Sequence, residues 1–144
     1  MDVSYILDDL NDAQRQAVTS ESKKLLVLAG AGSGKTKVLV HRIAWLIKAL
    51  SNSTHSILSV TFTNKAANEM TGRIEQILDQ PIPEMWCGTF HSISNRLLRR
   101  HYKEAGLEKD FSILDSDDQL RVIKRNLKEL DIDDVPDEYK KIVK

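Results

Sequence analysis

The chain has 144 residues, a length that fits about one domain and can bury a core without disulfides or a structural metal. Hydrophobic residues make up 41% and charged residues 29%, as in ordinary globular proteins rather than disordered or fibrous ones. Lysine plus arginine and aspartate plus glutamate each number 21, which excludes a bulk polycation that binds nucleic acid by charge alone but not a local basic groove. The single cysteine, Cys87, excludes a disulfide framework and a cysteine-cluster zinc site.

Secretion and membrane insertion are not expected from this sequence. Residues 1–10 contain three aspartates and no lysine or arginine, which is the wrong chemistry for a signal peptide. No uninterrupted apolar run approaches the ~18 residues of a spanning helix. Together with the single cysteine, which fits a reducing compartment, these features predict a cytoplasmic protein with no membrane partner.

The hydrophobic pattern of the first part alternates between helix and strand. Asn11 is a candidate N-cap for a short helix that carries Gln14 and Val18. Strands are predicted at residues 24–29, 57–62 and 85–89. Helices are predicted at residues 35–50 and, with Asn64 as the cap, at residues 65–78. This order predicts an α/β unit with a parallel sheet.

The character of the chain changes near residue 90, beyond which the pattern is mostly helical. Helices are predicted at residues 90–104 and 116–130, with a last short segment to Lys144. Ser116 and Gln119 have the spacing of a capping box at the start of the second of these helices. The sequence therefore predicts two subdomains, residues 1–89 and 90–144.

The strongest chemical signal is a glycine-rich segment that follows an apolar run and opens a predicted helix, the context of a phosphate-binding loop. Its residues are Ala29, Gly30, Ala31, Gly32, Ser33, Gly34, Lys35 and Thr36. Glycines let the backbone N–H groups converge on phosphates, and the helix N-terminus adds positive charge. Lys35 would place its ammonium on the β- and γ-phosphates, and the Thr36 hydroxyl would ligate Mg²⁺. Ala29 replaces the usual first glycine, which is a mild change.

Several further residues fit a nucleotide or nucleic-acid site, although each also fits a purely structural role. The Gln14 amide offers a donor and an acceptor, which suits the N6 and N7 edge of adenine. Phe62 would stack on a base, and Thr63 or Asn64 would bond a phosphate, because they stand at the end of a predicted strand and the start of a helix, where α/β sheets place ligands. His91 lies at a similar strand end.

A basic helix face is also predicted after residue 90. Its members are Arg96, Arg99, Arg100 and Lys103. Both a solvated surface and contact with duplex phosphates fit this pattern, and the first is favoured.

Four ordered motifs, at residues 10–18, 29–36, 61–70 and 88–91, together resemble UvrD/Rep/PcrA-type superfamily 1 DNA helicases. The resemblance extends over essentially the whole chain, and residues 113–119 share it. It implies a partial RecA-like P-loop NTPase parallel sheet, followed from about residue 90 by the start of an inserted helical subdomain.

The same resemblance implies roles by position. Gln14 would contact adenine, Lys35 and Thr36 would serve the phosphates and Mg²⁺ of ATP, and Lys37 stands where the family has arginine. The single-strand path would be lined by Phe62, Thr63, Asn64 and His91. The implied partners are single-stranded and duplex DNA, with repair proteins and self-association for the longer enzyme.

Parts of a complete helicase are not found in the sequence. A buried strand ending in Asp-Glu is expected, and Asp137–Glu138 matches it in letters only because the preceding residues are acidic and broken by Pro136. We therefore expect a piece of a longer 3′–5′ DNA helicase of repair and replication, a piece that is inactive alone. A P-loop nucleotide kinase and a non-catalytic nucleotide-binding module are the alternatives.

Overall fold

The computed structural model describes residues 2–131, in which two helices come first and strands then alternate with helices up to residue 100. In chain order the elements are α1 (Asp12–Thr19), α2 (Lys35–Lys48), β1 (Leu58–Thr61), α3 (Asn64–Leu78), β2 (Trp86–Thr89), α4 (Phe90–Arg100) and α5 (Ser116–Glu129). Short 3₁₀ turns lie at Ser4–Ile6 and Thr54–Ser56. The predicted last segment to Lys144 and the Asp137–Glu138 pair lie outside the described residues.

The two strands form a parallel pair, joined by α3 as a crossover helix. Parallel strands cannot be joined by a tight turn, and a helix is the usual way to bring the chain back to the start of the sheet. The register pairs Leu58 with Trp86 and Thr61 with Thr89, so both strands end at the same edge. The predicted mixture of helices with a parallel sheet is confirmed.

The predicted strand at residues 24–29 is wrong in this structure, which assigns no strand to these described residues. Leu26 and Leu28 are 80% and 85% exposed. An apolar run becomes a strand only where a neighbouring strand takes up its N–H and C=O groups. The sheet of residues 2–131 contains only β1 and β2, and residues 24–29 pair with neither of them.

The main core of the first part lies between α2 and α3. Its members are Ile6, Val40, Ile43, Ala44, Met70, Ile74, Leu78, Ile82 and Met85. In α3 the buried residues recur every three or four positions, which places them on one helix face. Leu10, Val18 and Val38 form a second cluster between α1 and α2.

Helix N-caps agree with the sequence at α1 and differ at two other helices. Asn11 forms a capping box with Gln14, as its side chain accepts from the Gln14 N–H and the Gln14 side chain accepts from the Asn11 N–H. Thr63, not Asn64, caps α3, and Asp115, not Ser116, caps α5. At both helices the predicted cap and the residue before it are good capping types, and it is the earlier side chain that accepts the hydrogen bond from the helix backbone.

Residues divide into two compact units, Met1–Arg100 and His101–Lys144. In the first unit α4 follows β2 directly and ends at Arg100, short of its predicted end. In the second unit Leu120, Ile123 and Leu127 are half-buried on one side of α5. The expected subdomain boundary near residue 90 stays a prediction.

None of the helices in residues 2–131 is long and apolar enough to cross a membrane.

Candidate nucleotide and nucleic-acid sites

The glycine-rich loop turns left-handed immediately before α2. Gly32 has φ of 76° and Gly34, the residue that precedes the first turn of α2, has φ of 83°. Residues with side chains rarely adopt this conformation, so the turn requires glycine. A Cβ at Gly34 would lie 2.8 Å from Gln14 Nε2, whereas one at Gly30 or Gly32 would meet nothing within 4 Å. The loop is therefore closed by Gln14 on one side and open on the other.

The Lys35 ammonium lies over this loop. Its Nζ donates to the carbonyl oxygens of Ala29 and Gly30, at 2.8 Å and 2.6 Å. The Ser33 hydroxyl also donates to the Gly30 carbonyl, at 2.7 Å. Thr36 is exposed in the first turn of α2. A phosphate oxygen at the loop would give Lys35 a charge-assisted hydrogen bond in exchange for neutral carbonyl partners.

Gln14 joins α1 to the loop. Its Nε2 donates to the Ser33 carbonyl at 3.3 Å, and its Oε1 accepts from the Asn11 N–H at 3.2 Å. A side-chain amide has two N–H groups and two acceptor lone pairs, so one of each remains for a ligand. Beside it lies a cavity of about 240 Å³ whose lining includes Gln14, Ser33 and Lys35. The structure thus brings Gln14 together with the loop, while its predicted contact with adenine stays a prediction.

Lys37 contacts the N-terminal segment. Its Nζ donates to the Asp9 carbonyl at 2.5 Å. On the next turn of α2, the buried His41 makes a hydrogen bond through Nδ1 to the Ile6 carbonyl at 2.6 Å. Arg15 of α1 donates to the carbonyl oxygens of Leu7 and Leu10, at 3.3 Å each. Three side chains therefore hold the segment that leads into the Asn11 cap.

Two phenylalanines meet where the strands end. Phe62 follows Thr61 at the end of β1, and Phe90 follows Thr89 at the end of β2. Because Thr61 and Thr89 are paired in the register, the two rings lie side by side, with centroids 6.2 Å apart and planes tilted by 56°. Phe62 is 93% exposed and Phe90 is 60% exposed. This edge presents aromatic surface to solvent.

The other expected nucleic-acid residues lie at the same edge. Thr63 Oγ1 accepts from the Ala66 N–H at 3.1 Å, so this hydroxyl serves as the α3 cap. Asn64 is the first residue of α3 and His91 the second of α4, and both are exposed. Two helices thus begin beside the aromatic pair, and the start of a helix favours negative charge.

Arg96, one of the basic residues of α4, lies towards the other end of the sheet. The Arg96 guanidinium lies 4.3 Å from the ring centroid of Trp86, the first residue of β2. Such a cation–π contact covers the tryptophan and holds the arginine in place. This contact favours a structural role for Arg96, in line with the solvated-surface interpretation of the sequence.

Comparison with known protein families decides the affiliation of the chain. The profile of the UvrD/REP helicase N-terminal domain matches residues 10–144. The chain belongs to the UvrD/REP helicase N-terminal domain family. The resemblance drawn from the four sequence motifs is thereby confirmed.

Relatives in the UvrD/REP family are much longer than this chain. DNA helicase II of Salmonella typhimurium (strain LT2) is 58% identical over 134 residues, which cover 93% of this chain and 19% of that protein. DNA helicase II of Escherichia coli (strain K12) shows the same identity and coverage. ATP-dependent DNA helicase PcrA of Bacillus subtilis is 49% identical over 130 residues, 90% of this chain and 18% of that protein. The chain spans about a fifth of the length of these relatives.

The PcrA relative is named an ATP-dependent helicase, and the chemistry of the glycine-rich loop is compatible with a nucleotide phosphate. Space beside Gly30 and Gly32 is open to phosphate oxygens. Among the described residues, no group of three or more His, Cys, Asp or Glu side chains is placed to hold a metal ion. Mg²⁺ commonly takes few protein ligands beside phosphate oxygens and water, and the exposed hydroxyl of Thr36 is of a type that can be one of them.

Two features of this UvrD/REP chain were missed from the sequence. Phe90 lies in a predicted helix and in the motif at residues 88–91 but was given no role, although its position at the end of a predicted strand, like that of Phe62, was a usable signal. The hydrogen bond between Lys37 and Asp9 had no sequence signal, because it joins residues 28 positions apart through a backbone oxygen.

Proposed function

We propose that this chain is the N-terminal ATP- and DNA-binding part of an ATP-dependent DNA helicase. The observation that carries the proposal is the loop before α2, where two left-handed glycines lead into the helix and Lys35 lies over the loop. Membership of the UvrD/REP family supports it, as do relatives named DNA helicase II and PcrA. The names of these relatives give no support to the two alternatives, a P-loop nucleotide kinase and a non-catalytic nucleotide-binding module.

ATP would bind between α1 and the start of α2. Gln14 would use its remaining donor and acceptor on the adenine edge, while Lys35 would neutralise the β- and γ-phosphates. The phosphate cradle would consist of Ala29, Gly30, Ala31, Gly32, Ser33 and Gly34. Thr36 would hold Mg²⁺, which when bound supplies charge that offsets the phosphates. Lys37 would act near the nucleotide by holding the segment before α1 through its hydrogen bond to the Asp9 carbonyl.

Single-stranded DNA would cross the edge where β1 and β2 end. Phe62 has a free ring face for a base, since 93% of its surface is exposed. Asn64 and His91 stand at two helix starts beside it, where phosphate oxygens are favoured. Thr63 would contribute its backbone and the cap that fixes the start of α3.

In the longer protein, residues 1–89 would form the first half of a RecA-like motor subdomain. Residues from about 90 onward would begin the inserted helical subdomain. Binding and hydrolysis of ATP would open and close two motor domains and move the enzyme 3′ to 5′ along one strand. The proposed roles are DNA repair and replication, with repair proteins and a second copy of the enzyme as partners.

The test uses both the chain and the longer protein. The 144-residue chain should bind Mg²⁺–ATP and a fluorescent single-stranded oligonucleotide, measured by calorimetry and anisotropy. The longer protein should unwind a partial duplex that has a 3′ single-stranded tail and leave one with a 5′ tail intact. Unwinding without ATP, or phosphate transfer to a nucleoside acceptor instead of water, would overturn the proposal.

A further inference from the structure

The aromatic pair at the end of the sheet includes one residue, Phe90, that the proposed function does not use. Its ring lies 6.2 Å from that of Phe62 with the planes tilted by 56°. Tilted arrangements are favoured between aromatic rings because the positive edge of one faces the negative face of the other. The contact is therefore attractive in its own right.

Burial does not account for this pair. Phe62 is 93% exposed and Phe90 is 60% exposed, so neither ring is part of the core. An isolated exposed phenylalanine samples several rotamers. An attractive contact with Phe90 favours Phe62 orientations that keep the two rings together, while 93% of the Phe62 surface stays open.

The backbone on both sides of the rings is held by threonine hydroxyls. Thr61 Oγ1 donates to the Thr63 carbonyl at 2.9 Å, across the position of Phe62. Thr89 Oγ1 accepts from the Ser92 N–H at 3.2 Å, across the position of Phe90. With Thr61 and Thr89 paired in the parallel register, the spacing of the two rings is set by the sheet.

We propose that Phe90 is a positioning residue for single-stranded DNA, which holds the Phe62 ring in the orientation that stacks on a base. The inference rests on the proposed function and deepens its DNA site. Ordering Phe62 before the strand arrives removes an entropic cost of binding, so the benefit of Phe90 depends on Phe62 being present.

The experiment measures binding of a labelled oligothymidylate to the 144-residue chain by fluorescence anisotropy. Phe62→Ala should weaken binding about 5- to 150-fold, as expected for loss of one stacked base. Phe90→Ala should weaken it about 2- to 12-fold, the range of an aromatic pair contact, and Phe90→Tyr should restore it. The double variant should bind no more weakly than Phe62→Ala alone.

A second readout separates positioning from a structural role. A strand that carries 2-aminopurine loses fluorescence when its base stacks on a ring, and Phe90→Ala should reduce this quenching. Leu97→Ala on the same helix, where Leu97 is 43% exposed, is the control and should leave quenching and affinity unchanged. If Phe90→Ala lowers the unfolding midpoint, Phe90→Leu, which keeps apolar bulk without the ring, replaces it.

Three outcomes overturn the inference, and they differ in what they say of the DNA site. Losses that add in the double variant would mean that Phe90 contacts the strand independently of Phe62. Unchanged binding in Phe90→Ala with a loss in Phe62→Ala would overturn the inference and leave the proposed function standing. Absence of oligothymidylate binding by the wild-type chain would overturn both.

Discussion

Gln14 Nε2 donates to the Ser33 carbonyl at 3.3 Å, and this hydrogen bond joins α1 to the glycine-rich loop. The same amide accepts from the Asn11 N–H, so it also completes the cap of α1. A base bound to Gln14 would therefore contact a group that already holds the loop. Recognition of the base and the shape of the phosphate cradle would then be coupled through one side chain.

Substitutions at Gln14 should separate its role in the cap of α1 from its role in the contact with the glycine-rich loop. Gln14→Glu keeps the acceptor oxygen of the capping box but loses the donor to Ser33, so we expect a near-unchanged unfolding midpoint and at least about tenfold weaker ATP binding. Gln14→Ala loses both contacts and should also destabilise the chain by about 1 kcal/mol. Thermal unfolding and calorimetric titration with ATP check both. Normal ATP affinity in Gln14→Glu would argue against a role for the donor.

Lys35→Ala should weaken ATP binding and spare DNA binding. Hydrogen bonds to charged groups contribute about 1.5–3 kcal/mol, which corresponds to about 10- to 150-fold in affinity. Phe62 and Phe90 do not depend on this ammonium, so oligonucleotide affinity should be unchanged. Lys48→Ala, at the far end of the same helix, is the control. The loop assignment fails if ATP binds Lys35→Ala and the wild type alike.

Gly34→Ala should disrupt the loop, whereas Gly72→Ala should stabilise the chain. At Gly34 a methyl group would sit in a left-handed conformation, 2.8 Å from Gln14 Nε2, and should cost more than about 1 kcal/mol. At Gly72, inside α3, nothing lies within 4 Å, and alanine should add up to about 1 kcal/mol. Denaturant unfolding of both variants measures these effects. Equal stabilities would show that the turn does not require glycine.

Arg96→Ala should affect stability rather than binding of single strands. Loss of the contact with Trp86 should cost about 0.5–1 kcal/mol, because Arg96 is exposed. Arg100→Ala on the same helix serves for comparison. A large loss of duplex binding in Arg96→Ala, with a shallower dependence on salt concentration, would instead assign this helix face to phosphate contacts.

The 144-residue chain should bind ATP but hydrolyse it negligibly. Phosphoryl transfer requires several groups positioned together, and Lys35 and Thr36 supply only part of that set. Phosphate release measured with and without single-stranded DNA checks this expectation. Robust turnover that DNA stimulates would show that the chain already holds a complete catalytic set.

Helix periodicity was a reliable guide where a helix packs on a core. The spacing of apolar residues predicted α2, and the structure buries Val38 and Ile43 of this helix as that spacing requires. Leu39, an apolar residue of the same helix, is 41% exposed. Local spacing thus found the helix but not the exact width of its buried face.

Features that depend on distant residues were not predictable in this way. The apolar run at residues 24–29 has strand composition, but pairing is a property of neighbours that local sequence does not contain. The meeting of Phe62 with Phe90 follows from the register of two strands separated by a helix. Caps failed for a different reason, since Thr63 and Asn64 are both good capping residues and only geometry selects between them.

The link between α3 and β2 offers a place for a reporter group. Ile82 and Met85 are buried anchors of this link, whereas Pro83 between them is exposed. The length of β2, about 10 Å, separates this link from the end of the sheet where Phe90 lies. A fluorophore could be attached to Pro83→Cys after the half-buried native thiol of Cys87 is changed to serine. It would report tumbling and association of the molecule without obstructing the edge where β1 and β2 end, which is proposed to bind DNA.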